Sequence, residues 1–169
     1  MGWSQFVALQ VEYSLLARTP ERELIPMAKH FGMTVTPWAP LGGGALTGKY
    51  LRGEQGRIKE ESVRRNDRAI GITKVVIDIA EELGVSPGNV ALKWTMQQDF
   101  SSIPVVGATK LSQLEDNLKT VNVELSPVQL KKLDEASAIQ LGFPGDFFRE
   151  EAVKMNTFGG FYDKVEKRN

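Results

Sequence analysis

Three short strand-like runs, FVALQVE (6–12), MTVTPW (33–38) and SSIPVV (101–106), are held apart by helical stretches, and this alternation constrains the fold more than any other feature. Strands separated by helices pair in parallel through right-handed crossovers. The first run begins almost without lead-in, which leads to the expectation of a start in mid-architecture. Three parallel strands are few. A closed barrel of eight strand–helix units takes about 250 residues, and this chain has 169. The expected class is α/β, with three parallel strands and their helices forming a sheet that the chain cannot close alone.

The helices carry their own start and stop marks. Pro26 suits a first turn, which sets a helix over about 24–31 ahead of Gly32. Ile72, Val75, Val76, Ile79, Ala80 and Leu83 form one apolar stripe along residues 67–83, and Gly84 stops it. Ser86-Pro87 and Ser126-Pro127 each read as an N-cap followed by a first-turn proline. A further helix, LSQLEDNLKTV, follows the third strand. Residues 39–50 form a glycine-rich loop, and the charged, aperiodic residues 51–66 an exposed excursion. Beyond 138 the chain is expected to be irregular and aromatic, with Phe143, Phe147, Phe148, Phe158, Phe161 and Tyr162, so the expected division is 1–138 and a tail, 139–169.

Composition removes several functions. Basic and acidic residues number 21 each, which leaves no excess charge for binding a polyanion. With no cysteine there are no disulfides or thiolate metal sites. The single histidine, His30, is expected at a helix C-terminus, where the dipole favours it, rather than in catalysis. No basic leader or long apolar run is present. The expectation is a soluble cytoplasmic protein with neither nucleic acid nor membrane as partner.

Three stretches carry chemistry. In IPVVGATKLSQLEDN the strand breaks at Gly107 and enters a helix. That exit lies at the carboxyl end of a parallel sheet, where ligands bind. The glycine and the helix N-terminus offer N–H donors, and Lys110 adds a cation, so a phosphate suits the break. Gln113 and Asn117 share a helix face from which amides could read a base or ribose. The alternative is a plain turn with surface amides. In PWAPLGGGALTGKY, Gly42 to Gly44 can take positive φ and cradle a pyrophosphate, while Trp38 offers a stacking face; a flexible linker and a core tryptophan are the alternatives. In ALQVEYSLL, Gln10 and Glu12 share one strand face, suited to a ligand contact or simply to water. Lys49 and Tyr50 are neighbours in a loop and are not expected to face one another.

Taken together, VALQVEYSLLARTPERELIPMA, VTPWAPLGGGALTGKY and IPVVGATKLSQLEDNL resemble the sixth, seventh and eighth strand regions of the aldo-keto reductase barrel, over nearly the whole chain. The resemblance implies an incomplete TIM barrel, its C-terminal half, and NADP(H) as cofactor. It implies Gln10 at the nicotinamide carboxamide and Trp38 on the nicotinamide ring. Pro40, Leu41, Gly42 and Gly44 would line the pyrophosphate. Gly107, Ala108, Thr109 and Lys110 would meet the adenosine 2′-phosphate, and Gln113 and Asn117 the adenine end. The family's catalytic Asp, Tyr, Lys and His map to no residue here, so no catalytic residue is assigned.

Three functions follow as expectations. The first is a cofactor-binding half of a reductase, inactive alone because hydride transfer to a carbonyl needs a positioned proton donor. The second is a working reductase, completed by another chain or by improvised acids such as Tyr13 or Tyr50. The third is an interaction module without ligand. Raw strand edges and interior side chains, Val7, Leu9 and Val11 or their alternates, call for a second copy or a complementary half-barrel.

Overall fold

The computed structural model describes residues 2–165. The chain runs through β1 (Ala8–Glu12), a 3-10 turn (Thr19–Arg22), α1 (Leu24–His30), β2 (Thr34–Trp38) and a second 3-10 stretch (Gly42–Thr47). A third 3-10 turn (Val63–Arg65) precedes α2 (Asp67–Leu83), α3 (Pro87–Met96), α4 (Leu111–Leu118) and α5 (Pro127–Ser137). Two short helices, α6 (Gly145–Arg149) and α7 (Glu151–Phe158), follow. The stretch expected to be irregular is therefore partly helical.

Local chemistry explains the boundaries. The Asn66 side chain accepts from the Ala69 N–H at 2.9 Å, opening α2, and Gly84 closes it in the left-handed region. Ser86 caps α3 through the Asn89 N–H at 3.3 Å. Ser126 and Gln129 form a reciprocal capping box at α5.

β1 and β2 pair in parallel, with Ala8 opposite Thr34 and Glu12 opposite Trp38. The third expected strand is only partly realised. Val35 donates its N–H to the Ser101 carbonyl at 2.8 Å and accepts from Ile103 at 2.9 Å. Val105 donates to the Pro37 carbonyl at 2.8 Å, but Pro37 has no N–H to return. One complete bridge, Val35 with Ser102, results. The expectation of three full strands is corrected to two strands flanked by a hydrogen-bonded segment, 101–105.

The sheet has one covered face. Leu9, Val11 and Val35 turn toward the helical layer, where Ile25 and Ala28 of α1 meet them. Tyr13, Leu46, Ile72, Val76, Trp94 and Leu133 belong to the main core, in which α2 packs on α3 and α5. The alternate residues Ala8, Gln10 and Trp38 face outward and are exposed. The residues left without packing are thus the alternates of Leu9 and Val11; Val7, ahead of the strand, is exposed as well.

Behind the end of β1 a polar network ties the layers together. The buried Tyr13 hydroxyl donates to Glu21 at 2.7 Å, and the Arg18 guanidinium meets the same carboxylate at 2.7 Å. Arg18 also reaches Asp134 at 3.2 Å and lies over the Trp94 ring at 5.2 Å, while the Trp94 N–H donates to Asp134 at 3.1 Å. One cation thus joins the first 3-10 turn, α3 and α5.

Burial, and next the charge of Glu21, push the Tyr13 phenol well above its ordinary 10.0. The folded state holds this proton where the unfolded chain releases it. The associated stability is therefore whole below about pH 10 and declines as the pH rises above it. Urea denaturation of Tyr13→Phe and the parent should show a steeper alkaline fall in the parent; equal slopes would contradict the assignment.

Candidate functional site

Two glycine-marked chain exits converge at the carboxyl end of the strands. They border an open cleft of about 1000 Å³, of the size that holds small ligands. The exit of β2 supplies Trp38, Pro40, Leu41, Gly43 and Gly44. The exit of the 101–105 segment supplies Val106, Gly107, Ala108 and Thr109, with Gln113, Asp116 and Asn117 of α4 beside them. The start of α3, Ser86 to Gly88, forms a third wall.

The glycine loop is built on left-handed backbone. Gly42, Gly43 and Gly44 have φ of 56°, 67° and 93°. At buried Gly42 the left-handed backbone favours glycine, and a Cβ there would lie 2.7 Å from Leu16 Cδ1 and displace that side chain. The loop satisfies much of its own backbone. Gly42 donates to Ala39 at 2.8 Å and Gly44 to Leu41 at 2.9 Å, so these two N–H groups turn inward rather than into the cleft. Gly42 is packed beneath the wall, and the expected donor-lined cradle is correspondingly reduced.

At the other exit Gln113 braces the loop. Its side-chain oxygen accepts from the Thr109 N–H at 3.0 Å and the Thr109 hydroxyl at 3.1 Å. Gln113 thus spends its oxygen on the chain itself and keeps only its amide N–H groups for a ligand, while both Gln113 and Asn117 line the cleft. Lys110 is the N-cap residue of α4 and is exposed outside the cleft wall. Gln10 also lies outside it, two register positions from the Glu12–Trp38 pair on the open face of the sheet.

The cationic wall comes from Lys49 of the glycine-rich loop and from residues of the excursion that sequence reasoning left exposed. Lys49, Arg52, Arg57 and Arg64 all line the cleft. The excursion folds back because Tyr50 anchors it: the Ile58 N–H donates to the Tyr50 hydroxyl at 3.1 Å, and Arg65 lies over its ring at 4.7 Å. Arg64 pairs with Glu12 at the end of β1. Lys49 lies 5.0 Å from the Tyr50 ring centre, so this pair does meet, contrary to expectation. The density of cations over 49–65 was the available signal; the aromatic anchor that turns them inward was not visible as such.

Neither improvised acid is placed for catalysis in the cleft. Tyr13 is fully buried and committed to Glu21. Tyr50 lies behind the wall, its hydroxyl occupied by Ile58. His30 ends α1 and packs edge-on against Phe31 at 4.9 Å. Among the described residues there is no group of three or more His, Asp or Glu that could hold a metal ion, and no helix long and apolar enough to cross a membrane.

A parallel α/β scaffold thus carries an anion-suited cleft at its strand ends, and comparison assigns the family. The chain belongs to the aldo/keto reductase family, whose profile matches residues 1–138. It is 29% identical over 157 residues to a probable aryl-alcohol dehydrogenase, AAD4, of Saccharomyces cerevisiae, covering 89% of this chain and 48% of that protein. It is 30% identical over 174 residues to the aryl-alcohol dehydrogenase [NADP(+)] of Phanerodontia chrysosporium, covering 96% of this chain and 45% of that protein. A third relative, an uncharacterized oxidoreductase, YrpG, of Bacillus subtilis, is 34% identical, with 82% and 41% covered. The chain spans about half the length of these curated relatives.

The bracing of the second exit is directly testable. Gln113→Ala should speed hydrogen exchange at the Thr109 amide by about tenfold or more, while Gln113→Glu, which keeps the acceptor, should not. Gly42→Ala should destabilise the chain by about 1–3 kcal/mol, read from denaturant midpoints.

Proposed function

We propose that this chain is the NADP(H)-binding, C-terminal half-barrel of an aldo/keto reductase-type oxidoreductase, with residues 1–138 as the half-barrel and 139–169 as its tail. The observation that carries this reading is the convergence of both glycine-marked exits on one cleft that also presents Lys49, Arg52, Arg57 and Arg64. A dinucleotide with a 2′-phosphate is an elongated polyanion with two aromatic ends. An open cleft with cations on one wall and Trp38 at its end suits that shape and charge.

On this reading Trp38, 41% exposed, presents its ring to the nicotinamide. Gln10 approaches the carboxamide from the neighbouring strand. Pro40, Leu41 and Gly44 form the floor under the pyrophosphate, with Lys49 and Arg57 neutralising it. Gly107, Ala108 and Thr109 border the adenosine end, and Asn117 faces the base. Gln113 holds Thr109 in place, and Gly42 holds the loop by packing on Leu16. Arg64 is held by Glu12, which leaves the two charges of that pair largely balanced. Lys110, exposed beside the exit, contributes long-range attraction to the phosphate rather than a fixed contact.

The cofactor would supply hydride. This chain's residues bind and orient it, but none is placed to deliver the accompanying proton to a carbonyl oxygen. The lone chain is accordingly a binding half without turnover. The NADP(+) specificity in the name of the Phanerodontia chrysosporium relative supports the choice of cofactor. The covered share of the relatives, about half, supports the reading as one portion of a larger catalytic unit.

Titration with NADPH, followed by quenching of tryptophan emission and by calorimetry, should show saturable binding. Arg57→Ala and Lys49→Ala should each weaken it by about tenfold, and Trp38→Phe should reduce the quenching. Purified chain should not oxidise NADPH with aromatic aldehydes. No saturation at millimolar cofactor would refute the binding half of the proposal; reproducible turnover by the purified chain would refute the other.

A further inference from the structure

One cation of the cleft is held differently from the rest. Arg52 is paired with Glu54 and Arg64 with Glu12, whereas among the described residues Lys49 and Arg57 have no carboxylate partner. Of these two, Arg57 is exposed and Lys49 is half-buried. Lys49 is covered by a notch of small groups. A Cβ on Gly44 would lie 2.9 Å from Lys49 Cε, and one on Gly56 would lie 2.8 Å from Cε and 2.6 Å from Nζ. The end of the side chain thus lies against two glycines, one from the glycine loop and one from the excursion. The centre of the Tyr50 ring is 5.0 Å from Nζ.

The two glycines are there for different reasons. Gly44 has a φ of 93°, which favours glycine whatever surrounds it. Gly56 lies outside the left-handed region and is exposed. Only space calls for glycine at 56, and that space is taken by Lys49 Nζ and by the Tyr50 hydroxyl, which a Cβ would overlap. Tethers on both sides hold Gly56 in place. The Glu54 N–H donates to the Lys49 carbonyl at 3.0 Å and turns the chain back on itself. Beyond Gly56, the Ile58 N–H donates to the Tyr50 hydroxyl at 3.1 Å, and that hydroxyl donates to the Gly43 carbonyl at 3.4 Å. Ile58 in turn packs on Gly43, where a Cβ would lie 2.7 Å from its Cδ1.

We infer that Gly56 and Tyr50 are positioning residues that fix the Lys49 ammonium in the cleft for the pyrophosphate of a dinucleotide. The ligand in this inference rests on the cofactor reading above; the notch does not. A free lysine loses rotamer freedom when it binds a phosphate, and a lysine already seated by packing has lost it on folding. A charge placed by packing instead of by an ion pair also keeps its attraction for an anion. The flexible lysine end gives way more readily than backbone, so an alanine at 56 displaces the charge and leaves the fold.

Lysine acetylation under limiting reagent, read by peptide mass spectrometry, reports the notch without any cofactor. Gly56→Ala and Tyr50→Phe should each raise labelling of Lys49, while Lys29 and Lys93, ion-paired elsewhere, label as in the parent. Tyr50→Phe removes a single oxygen and keeps the test open if alanine at 56 unfolds the chain, which thermal melts establish. With NADPH, Gly56→Ala should weaken binding by nearly the factor expected of Lys49→Ala, about tenfold. The double variant Gly56→Ala/Lys49→Ala should bind no more weakly than Lys49→Ala alone, because both changes remove the same interaction. Gly71→Ala in α2, where a Cβ meets nothing within 4 Å, should alter neither readout. Lys49 labelling unchanged in both variants, or binding losses that add in the double variant, would overturn the inference. Raised labelling together with a parent that does not bind NADPH would instead overturn the cofactor reading.

Discussion

The one-sided packing of the β1–β2 pair governs the rest of this structure. Leu9, Val11 and Val35 enter the helical layer, and strand alternation therefore delivers Ala8, Gln10, Glu12 and Trp38 to the other side. The same parity that buries one set exposes the other, and no local rearrangement changes that without emptying the core. The exposed face, its two open edges and the cleft at the strand ends are consequences of this one arrangement. Apolar surface left in water in this way is unfavourable by about 25 cal/mol per Å², and the proposed cofactor lies at the strand-end margin of this side.

The buried network around Arg18 secures the opposite side. A guanidinium shared by Glu21 and Asp134 and stacked on Trp94 is worth more in position than in stability, since removing charges from water is unfavourable by itself. It determines how the turn after β1 sits against α3 and α5. That in turn holds the start of α3, with Ser86 to Gly88, at the cleft wall. Ser86 extends the connection, donating to Asp116 of α4 at 2.6 Å.

Glycine here works through packing as much as through hydrogen bonding. The run Gly42–Gly44 first folds the loop onto itself, with Ala39 and Leu41 accepting two of its N–H groups. Its proposed role under a pyrophosphate is thus to let the backbone lie close, while Lys49 and the arginines of the excursion provide the charge. This division suits a cleft open to solvent.

Much of the architecture was legible in the residues themselves. The stripe from Ile72 to Leu83, the caps at Ser86 and Ser126 and the stops at Gly32 and Gly84 are local signals, readable because helix ends answer to nearest neighbours in the chain. The order of strands and helices determined parallel pairing, and the three motifs placed most of the cleft wall, because strand exits follow from strand direction. Other outcomes depended on groups distant in sequence. Whether 101–106 completes a strand was decided by Pro37, whose missing N–H faces Ile103 only after β2 and that segment align. Which face of β1 is bare was decided by where α1 packs. The inward turn of Arg57 and Arg64 was decided by Tyr50 and Glu12, and the engagement of the Gln113 oxygen by Thr109. Such contacts join residues through space, and only the assembled chain brings their partners within reach.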